Sequence, residues 1–230
     1  MHNSVLHQLI SERIQREGPL PFATYMRMAL YEPGYGYYVT GSAKIGWQGD
    51  YYTSTDVSTL FANCMGRQLH AMWEQLKCPS HFTVLEQGAG RGHLAEGVRA
   101  WALKEAQAFH TALDYRTEDI YAGRDALDLE LPSATPAIVL ANELIDAFPV
   151  HLVEKRGERL YEIFVDVRQD GRFCEVLGKP STPEVAGYLD SFNIPWSTFE
   201  EGWRAEINLD ALRWMQRTAS LSRHGFVLTI

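Results

Sequence analysis

The sequence predicts an α/β fold built on a parallel sheet, and three observations predict it. Short apolar runs alternate with amphipathic stretches from residue 81 onward, the pattern of strands wound with helices. One run, TVLEQGAGRG at 83–92, passes from a strand into a glycine turn. Another, VLANELIDAFPV at 139–150, leads through apolar residues into Asn142, Glu143 and Asp146, as a strand does at the carboxyl edge of an open sheet.

The elements follow in order. Residues 4–16 have Val5, Leu6, Leu9, Ile10 and Ile14 at helical spacing, and Gly18-Pro19 stops the helix. PFATYMRMALY predicts a second short helix. The tyrosine- and glycine-rich EPGYGYY and GSAKIGWQGDYYTS form a long loop, a type more often functional than not. STLFANCMGRQLHAMWEQLKC returns to helix, with Leu60, Phe61, Cys64, Met65, Leu69, Met72, Trp73 and Leu76 on one stripe. HFTVLEQ is a short buried strand, and GHLAEGVRAWALKEAQAFHTAL one long helix. PAIVLANEL is a second strand. RLYEIFVDVRQDGRFCEVLG reads as a hairpin turning on the two residues Asp170-Gly171. NLDALRWMQRTASLSRHG is a helix capped by Asn208 and stopped by Gly225, and FVLTI is a final strand.

Composition narrows the function classes. The chain has 230 residues, 46% hydrophobic, enough for one large domain or one domain with an appendage. A formal charge of -8, from 29 acids and 21 bases, argues against a phosphate-binding surface and so against nucleic acid as the main partner. No apolar run reaches membrane-spanning length. The N-terminus resembles neither a secretory signal nor a transit peptide. Cys64, Cys78 and Cys174 are scattered, which fits a reducing compartment and no metal site.

The glycine turn departs from the dinucleotide fingerprint G-x-G-x-x-G. Gly88, Gly90 and Gly92 stand at i, i+2 and i+4, and position 93 is His. Glu86 sits two residues before the first glycine. A pyrophosphate docked on the following helix N-terminus gains from the dipole, and an adjacent carboxylate opposes that gain. S-adenosylmethionine carries an ammonium and a sulfonium, and both welcome the carboxylate. The acid therefore favours the methyl donor over a nicotinamide dinucleotide. A tight turn with no ligand remains open.

Two further constellations carry candidate chemistry. Asn142 and Glu143 would emerge at the sheet edge beside the turn; alternatively Asn142 caps the next turn and Glu143 is solvated. Thr53, Ser54, Thr55 and Asp56 precede a helix, where hydroxyls can hold a carboxylate or simply cap the helix.

LYEPGYGYY, IGWQGDYYTSTDVSTLFA, LEQGAGRGHLA and ANELIDAFPV occur in this order. Together they resemble the MidA-type S-adenosylmethionine-dependent methyltransferases, a family that includes the mitochondrial complex I assembly methyltransferase. The resemblance spans residues 19 to about 155 and continues weakly to the end. It implies a class I methyltransferase core with a Rossmann-like sheet, an N-terminal helical cap over 1–78, and a core over 79–230. The β-hairpin is then an insertion near 150–180. The implied cofactor is S-adenosyl-L-methionine, with Gly88, Gly90 and Gly92 lining it and Glu86 at its methionine end. Asn142 and Glu143 would stand at the transfer site, and Thr53 and Ser54 would close it. The implied substrate is a protein, methylated on arginine, with a respiratory complex subunit as one expected target and a homodimer as one expected assembly. The expected compartment is the cytoplasm for a bacterial chain and the mitochondrial matrix for a eukaryotic one.

The chain departs from the family in three places. It has STDVS where the family usually has SPEIS, and Ala62-Asn63 where the family has Gly-Glu. ALDYRTEDIYAGRDALDL looks too polar and too short for a strand, helix and strand, so the acid for the ribose hydroxyls is undecided among Asp114, Glu118 and Asp119. FVLTI stops where the family continues, so the C-terminal part reads as incomplete.

For a guanidinium acceptor, Glu143 is the first candidate to hold the cation and Glu206 a distant second. Two other classes compete with the enzyme. A non-catalytic assembly or binding protein would keep the fold and transfer no labelled methyl group. A nicotinamide-dependent oxidoreductase would bind NADH instead of S-adenosylhomocysteine.

Overall fold

The structure is a computed structural model, and it describes residues 2–40, 59–119, 137–221 and 224–230. Thr53 and Ser54 lie outside them. Along the chain run α1 (His2–Glu17), β1 (Leu20–Pro21), α2 (Phe22–Tyr31), α3 (Thr59–Gln75), β2 (Phe82–Gln87), α4 (His93–Glu105), α5 (Gln107–Ala112), β3 (Leu113–Glu118) and β4 (Ala137–Ala141). Then come β5 (His151–Arg156), β6 (Arg159–Val167), β7 (Phe173–Gly178), α6 (Pro183–Ser191), β8 (Arg204–Ile207), α7 (Leu209–Leu221) and β9 (Gly225–Thr229). Among the described residues no helix is long and apolar enough to cross a membrane.

The chain groups into two compact units, Met1–Ser42 with Phe148–Leu212, and Ala43–Ala147 with Arg213–Ile230. The boundary read from the sequence at 78/79 does not follow this grouping, because α3 belongs with the core of the second unit and 148–212 with the N-terminal helices.

The second unit holds a parallel sheet in the order β3-β2-β4-β9. All six residues of β2 are buried, as a central parallel strand requires. Phe82 and Val84 join Met65, Leu69, Trp73, Leu94, Val98 and Phe109 in one apolar core. Of the predicted α3 stripe, Leu60 is 67% exposed and Cys64 is exposed, so the buried face is narrower than its apolar residues suggest. The helix expected to run from 92 to 113 is two helices, broken at Ala106 (φ -148°, ψ 66°). β3 forms despite its polarity. It is the edge of the described sheet, and its exposed Arg116 pairs with Asp114 at 2.7 Å, away from the core. An edge strand tolerates such a face.

The first unit holds an antiparallel sheet. β5 pairs β6 and β8, and β6 also pairs β1 and β7. The predicted hairpin is therefore part of a five-stranded sheet. Its turn is also longer than expected: Arg168 N–H donates to the Arg172 carbonyl at 2.8 Å, leaving Gln169, Asp170 and Gly171 as the loop. Gly171 has φ 82°, as a three-residue hairpin loop needs at its last position. Leu6, Ile10, Ile14, Leu20, Met28 and Val165 form one core of this unit, and Val153, Val185, Leu189, Ile207 and Leu209 another. Asn208 caps α7 as expected, its Oδ1 accepting the Ala211 N–H at 2.8 Å. Gly225 does not stop that helix; it is the first residue of β9.

Candidate cofactor site

β2 enters the glycine turn from the middle of the parallel sheet. β3 lies on one side of it and β4 on the other, so the strand order reverses at β2. Ligands of open α/β sheets bind at the carboxyl ends of the strands at such a reversal. The register aligns Gln87 with Glu118 and Ala141. Gly88, Asp119 and Asn142 therefore leave the sheet at one edge.

The turn is fixed by backbone bonds. The N–H groups of Gly88 and Ala89 donate to the Glu118 carbonyl at 2.9 and 3.0 Å, and Gly92 N–H donates to the Ala89 carbonyl at 2.8 Å. Gly88, Gly90 and Gly92 have φ of 74°, 53° and 80°, the left-handed region that glycine occupies without penalty. A Cβ at position 90 or 92 would meet no heavy atom of the described residues within 4 Å, so the backbone here is uncovered among them. A Cβ at position 88 would meet Leu144 Cδ1 at 3.0 Å; the turn thus packs on the segment that follows Glu143. Gly90 N–H is bonded to Asp119 Oδ2 at 2.8 Å.

Beneath the turn Glu86 is 3% exposed. Its Oε2 accepts the Tyr115 hydroxyl at 2.9 Å. Burial drives its carboxyl up to about 7; the Tyr115 bond works against that rise, the Asp119 charge adds to it and the Arg99 charge opposes it. Tyr115, 4% exposed, is pushed far above the usual phenol range by burial and by the adjacent Glu86. Arg99 of α4 donates to the Tyr115 carbonyl, and its guanidinium stands 5.5 Å from the ring centroid. On the other face of β2, buried Gln87 accepts the Trp214 indole N–H at 2.8 Å.

β4 delivers the second set. Asn142 is 8% exposed, and its Oδ1 has no hydrogen-bond partner among the described residues. It does not cap the next turn through that oxygen. Glu143 is exposed and has φ 49°, a strained conformation for a non-glycine residue of the kind that gathers at functional sites. Its N–H donates to the Ile230 carbonyl at 2.9 Å.

Glu86, the three glycines, Asn142 and Glu143 thus come together at one sheet edge. Of the three ribose candidates, Asp114 is paired with Arg116 earlier in β3, while Glu118 and Asp119 stand at the edge. Sequence reasoning missed Tyr115, Arg99 and Trp214. One signal was present for the first: Tyr115 lies in a neighbouring strand, and a buried tyrosine hydroxyl seeks a polar partner.

An α/β sheet with an open glycine turn at its switch point defines a nucleotide-type cofactor protein, and comparison narrows the class. Residues 64–230 match the Methyltransf_28 family, described as "Putative S-adenosyl-L-methionine-dependent methyltransferase". The chain belongs to this family, whose cofactor is S-adenosyl-L-methionine. It is 30% identical over 226 residues to the Drosophila melanogaster "Protein arginine methyltransferase NDUFAF7 homolog, mitochondrial", covering 81% of this chain and 51% of that protein. It is 25% identical over 213 residues to the Homo sapiens "Protein arginine methyltransferase NDUFAF7, mitochondrial", covering 76% and 48%. The chain thus spans about half the length of these relatives. A Burkholderia thailandensis crystal structure bound to S-adenosyl-homocysteine superposes with a TM-score of 0.80 at 25% identity, over 98% of this chain and 62% of that one.

Proposed function

We propose that the chain is a methyltransferase with a class I, Rossmann-like core that carries a helical N-terminal cap and a β-hairpin insertion, and that it methylates arginine on a protein substrate. One observation carries the reading: a buried carboxylate, Glu86, with one side-chain donor among the described residues, stands two residues before the glycine turn at the sheet's switch point. The residues present fit the family's cofactor. Among the described residues the turn leaves its backbone uncovered, the buried Asn142 Oδ1 lacks a partner, and an acid sits where a cation would relieve it.

When bound, S-adenosyl-L-methionine supplies an electrophilic methyl group. The chain's own residues bind and orient. Glu86 accepts from the ammonium of the methionine end, and a charge-assisted hydrogen bond there offsets the cost of its burial. The glycines admit the ligand closely, and Glu118 or Asp119 receives the ribose hydroxyls. Thr53 and Ser54 close the site in the family reading. Asn142 orients the acceptor through its amide. Glu143 accepts two hydrogen bonds from the guanidinium and fixes its plane; such positioning is a large part of transfer catalysis. The relatives are named as mitochondrial arginine methyltransferases, which supports arginine as the acceptor. The family resemblance supports a respiratory complex subunit as the target.

Calorimetry with S-adenosylhomocysteine tests the donor site. The native protein should bind it and should not bind NADH, and Gly90→Val should lose it while staying folded. Unchanged affinity in folded Gly90→Val would overturn the assignment. Labelled donor incubated with a cell extract tests the enzyme against the non-catalytic alternative. Once a substrate is found, Glu143→Gln should keep donor affinity within about twofold, under ~0.5 kcal/mol, and lose most transfer activity.

A further inference from the structure

We propose that Tyr115 is a positioning residue for the donor, holding the Glu86 carboxylate in the orientation that a cationic methionine end requires. The inference rests on the function proposed above, since it needs the donor at the glycine turn. It concerns a residue outside the glycine motif and on a different strand.

The geometry supports it in three ways. First, the Tyr115 hydroxyl makes the one side-chain hydrogen bond of Glu86 among the described residues, at 2.9 Å, and it engages only Oε2. Oε1 makes none among those residues and remains to accept from a ligand. Second, the hydroxyl is held firmly. Tyr115 lies in β3 opposite Val84, two residues before Glu86, and Arg99 grips it at both the carbonyl and the ring face. Third, little else among the described residues steadies the carboxylate. Asp119 beyond β3 repels it, Arg99 of α4 attracts it, and its neighbour on β4 is the apolar Leu140.

The chemistry then has a defined sign. Glu86 titrates near 7, so much of it is protonated in the free protein at neutral pH. An ammonium ligand binds the ionised form. Affinity should therefore rise with pH and level off above about 7, and binding below that point should release a proton. A hydroxyl donating to a carboxylate favours the ionised form. Without it, burial and Asp119 act unopposed by that bond, and the levelling point moves up.

The experiment is calorimetric titration with S-adenosylhomocysteine from pH 5.5 to 8.5, in buffers of differing ionisation enthalpy so that proton release is counted. Native protein, Tyr115→Phe, Glu86→Gln and Gly90→Val are compared, with melting temperatures to confirm folding. In Tyr115→Phe, whose ring fills the same space, the levelling point should rise by about one pH unit. Affinity below pH 7 should fall about tenfold, since one pH unit is a factor of ten in the proton equilibrium. The loss at pH 8.5 should be about threefold or less. In Glu86→Gln both the pH dependence and the proton release should vanish. A Tyr115→Phe curve that overlays the native one, or lies below it by one constant factor at every pH, would overturn the positioning role while leaving the donor site standing. If the native protein fails to bind, or Gly90→Val binds as the native does, the donor site itself is wrong and the role of Tyr115 falls with it.

Discussion

Glu86 of the parallel sheet and Glu162 of the antiparallel sheet are both glutamates on interior strands, 3% and 0% exposed. Burial raises the carboxyl pKa of each, yet the net result is opposite. Glu162 receives His151 Nδ1 at 2.7 Å, the Ser181 hydroxyl at 3.1 Å and the Ser181 backbone N–H. These donors outweigh burial and hold its carboxyl below the usual carboxylate range. Glu86 has one neutral donor and an acidic neighbour among the described residues, and it rises to about 7. A buried charge that is fully bonded is part of the scaffold. One left short of partners is poised for a ligand that completes its shell.

The largest effect that would sharpen this contrast is expected at Glu162. Glu162→Ala strands the Ser181 N–H and the imidazole of His151 and leaves a cavity in the sheet, and should cost about 3 kcal/mol in denaturant unfolding at pH 7. A loss well below 1 kcal/mol would show that the network does not hold the sheet.

Glu86 should behave in the opposite sense. Its folded pKa lies above the ordinary 4.5, so the folded state binds the extra proton. Stability from that proton is present below about pH 4.5 and lost as pH rises through 7. The difference is worth roughly 3 kcal/mol. Glu86→Gln should therefore raise stability by about 2 kcal/mol at pH 8.5 and by little at pH 4.5. It should also weaken S-adenosylhomocysteine binding by about 1–3 kcal/mol. Equal stability changes at the two pH values would break the comparison.

The smallest effect tests how many donors Glu162 needs. Ser181→Ala removes the hydroxyl and keeps the backbone N–H, and should cost about 1 kcal/mol. The carboxyl of Glu162, followed by NMR, should titrate at a higher pH than in the native protein. Because its depressed pKa stabilises the fold only above the ordinary carboxylate range, the variant's deficit should shrink as pH falls through that range.

The difference between these two sites also explains what was legible in the sequence. β4 is a continuous apolar run, β2 opens on the apolar Phe82, Val84 and Leu85, and the glycine turn follows directly from β2, so all three are legible from local pattern. α1, α2 and α3 showed helical periodicity, and Asn208 signalled its own cap. β3 is hidden by its polarity, because LDYRTE is the edge of the described sheet, with Asp114 and Arg116 paired on its open face. β5 and β8 are hard to see because HLVEKR and RAEI carry charged residues that local pattern does not place inside a sheet. In the fold Glu154 is buried and receives Arg204 Nε at 2.6 Å. The break at Ala106 has no glycine or proline to announce it. At the site, Glu86 was found from its place before Gly88, whereas Tyr115 and Asp119 reach it only through strand pairing across 29 residues of chain.

The bond from the Trp214 indole to Gln87 spans 127 residues, and its consequence lies in the order of synthesis. β2, β3 and β4 leave the ribosome first. Trp214 and β9, which flanks β4 in the described sheet, follow only after the whole of 148–212. Until then Gln87, the residue that launches the glycine turn, has its amide oxygen without the indole, and β4 waits for a neighbour. Pairing across such a separation must overcome a large loop-closure entropy, which slows folding. A nascent chain halted before residue 214 should therefore be far more susceptible to protease near the turn than one that extends past residue 230.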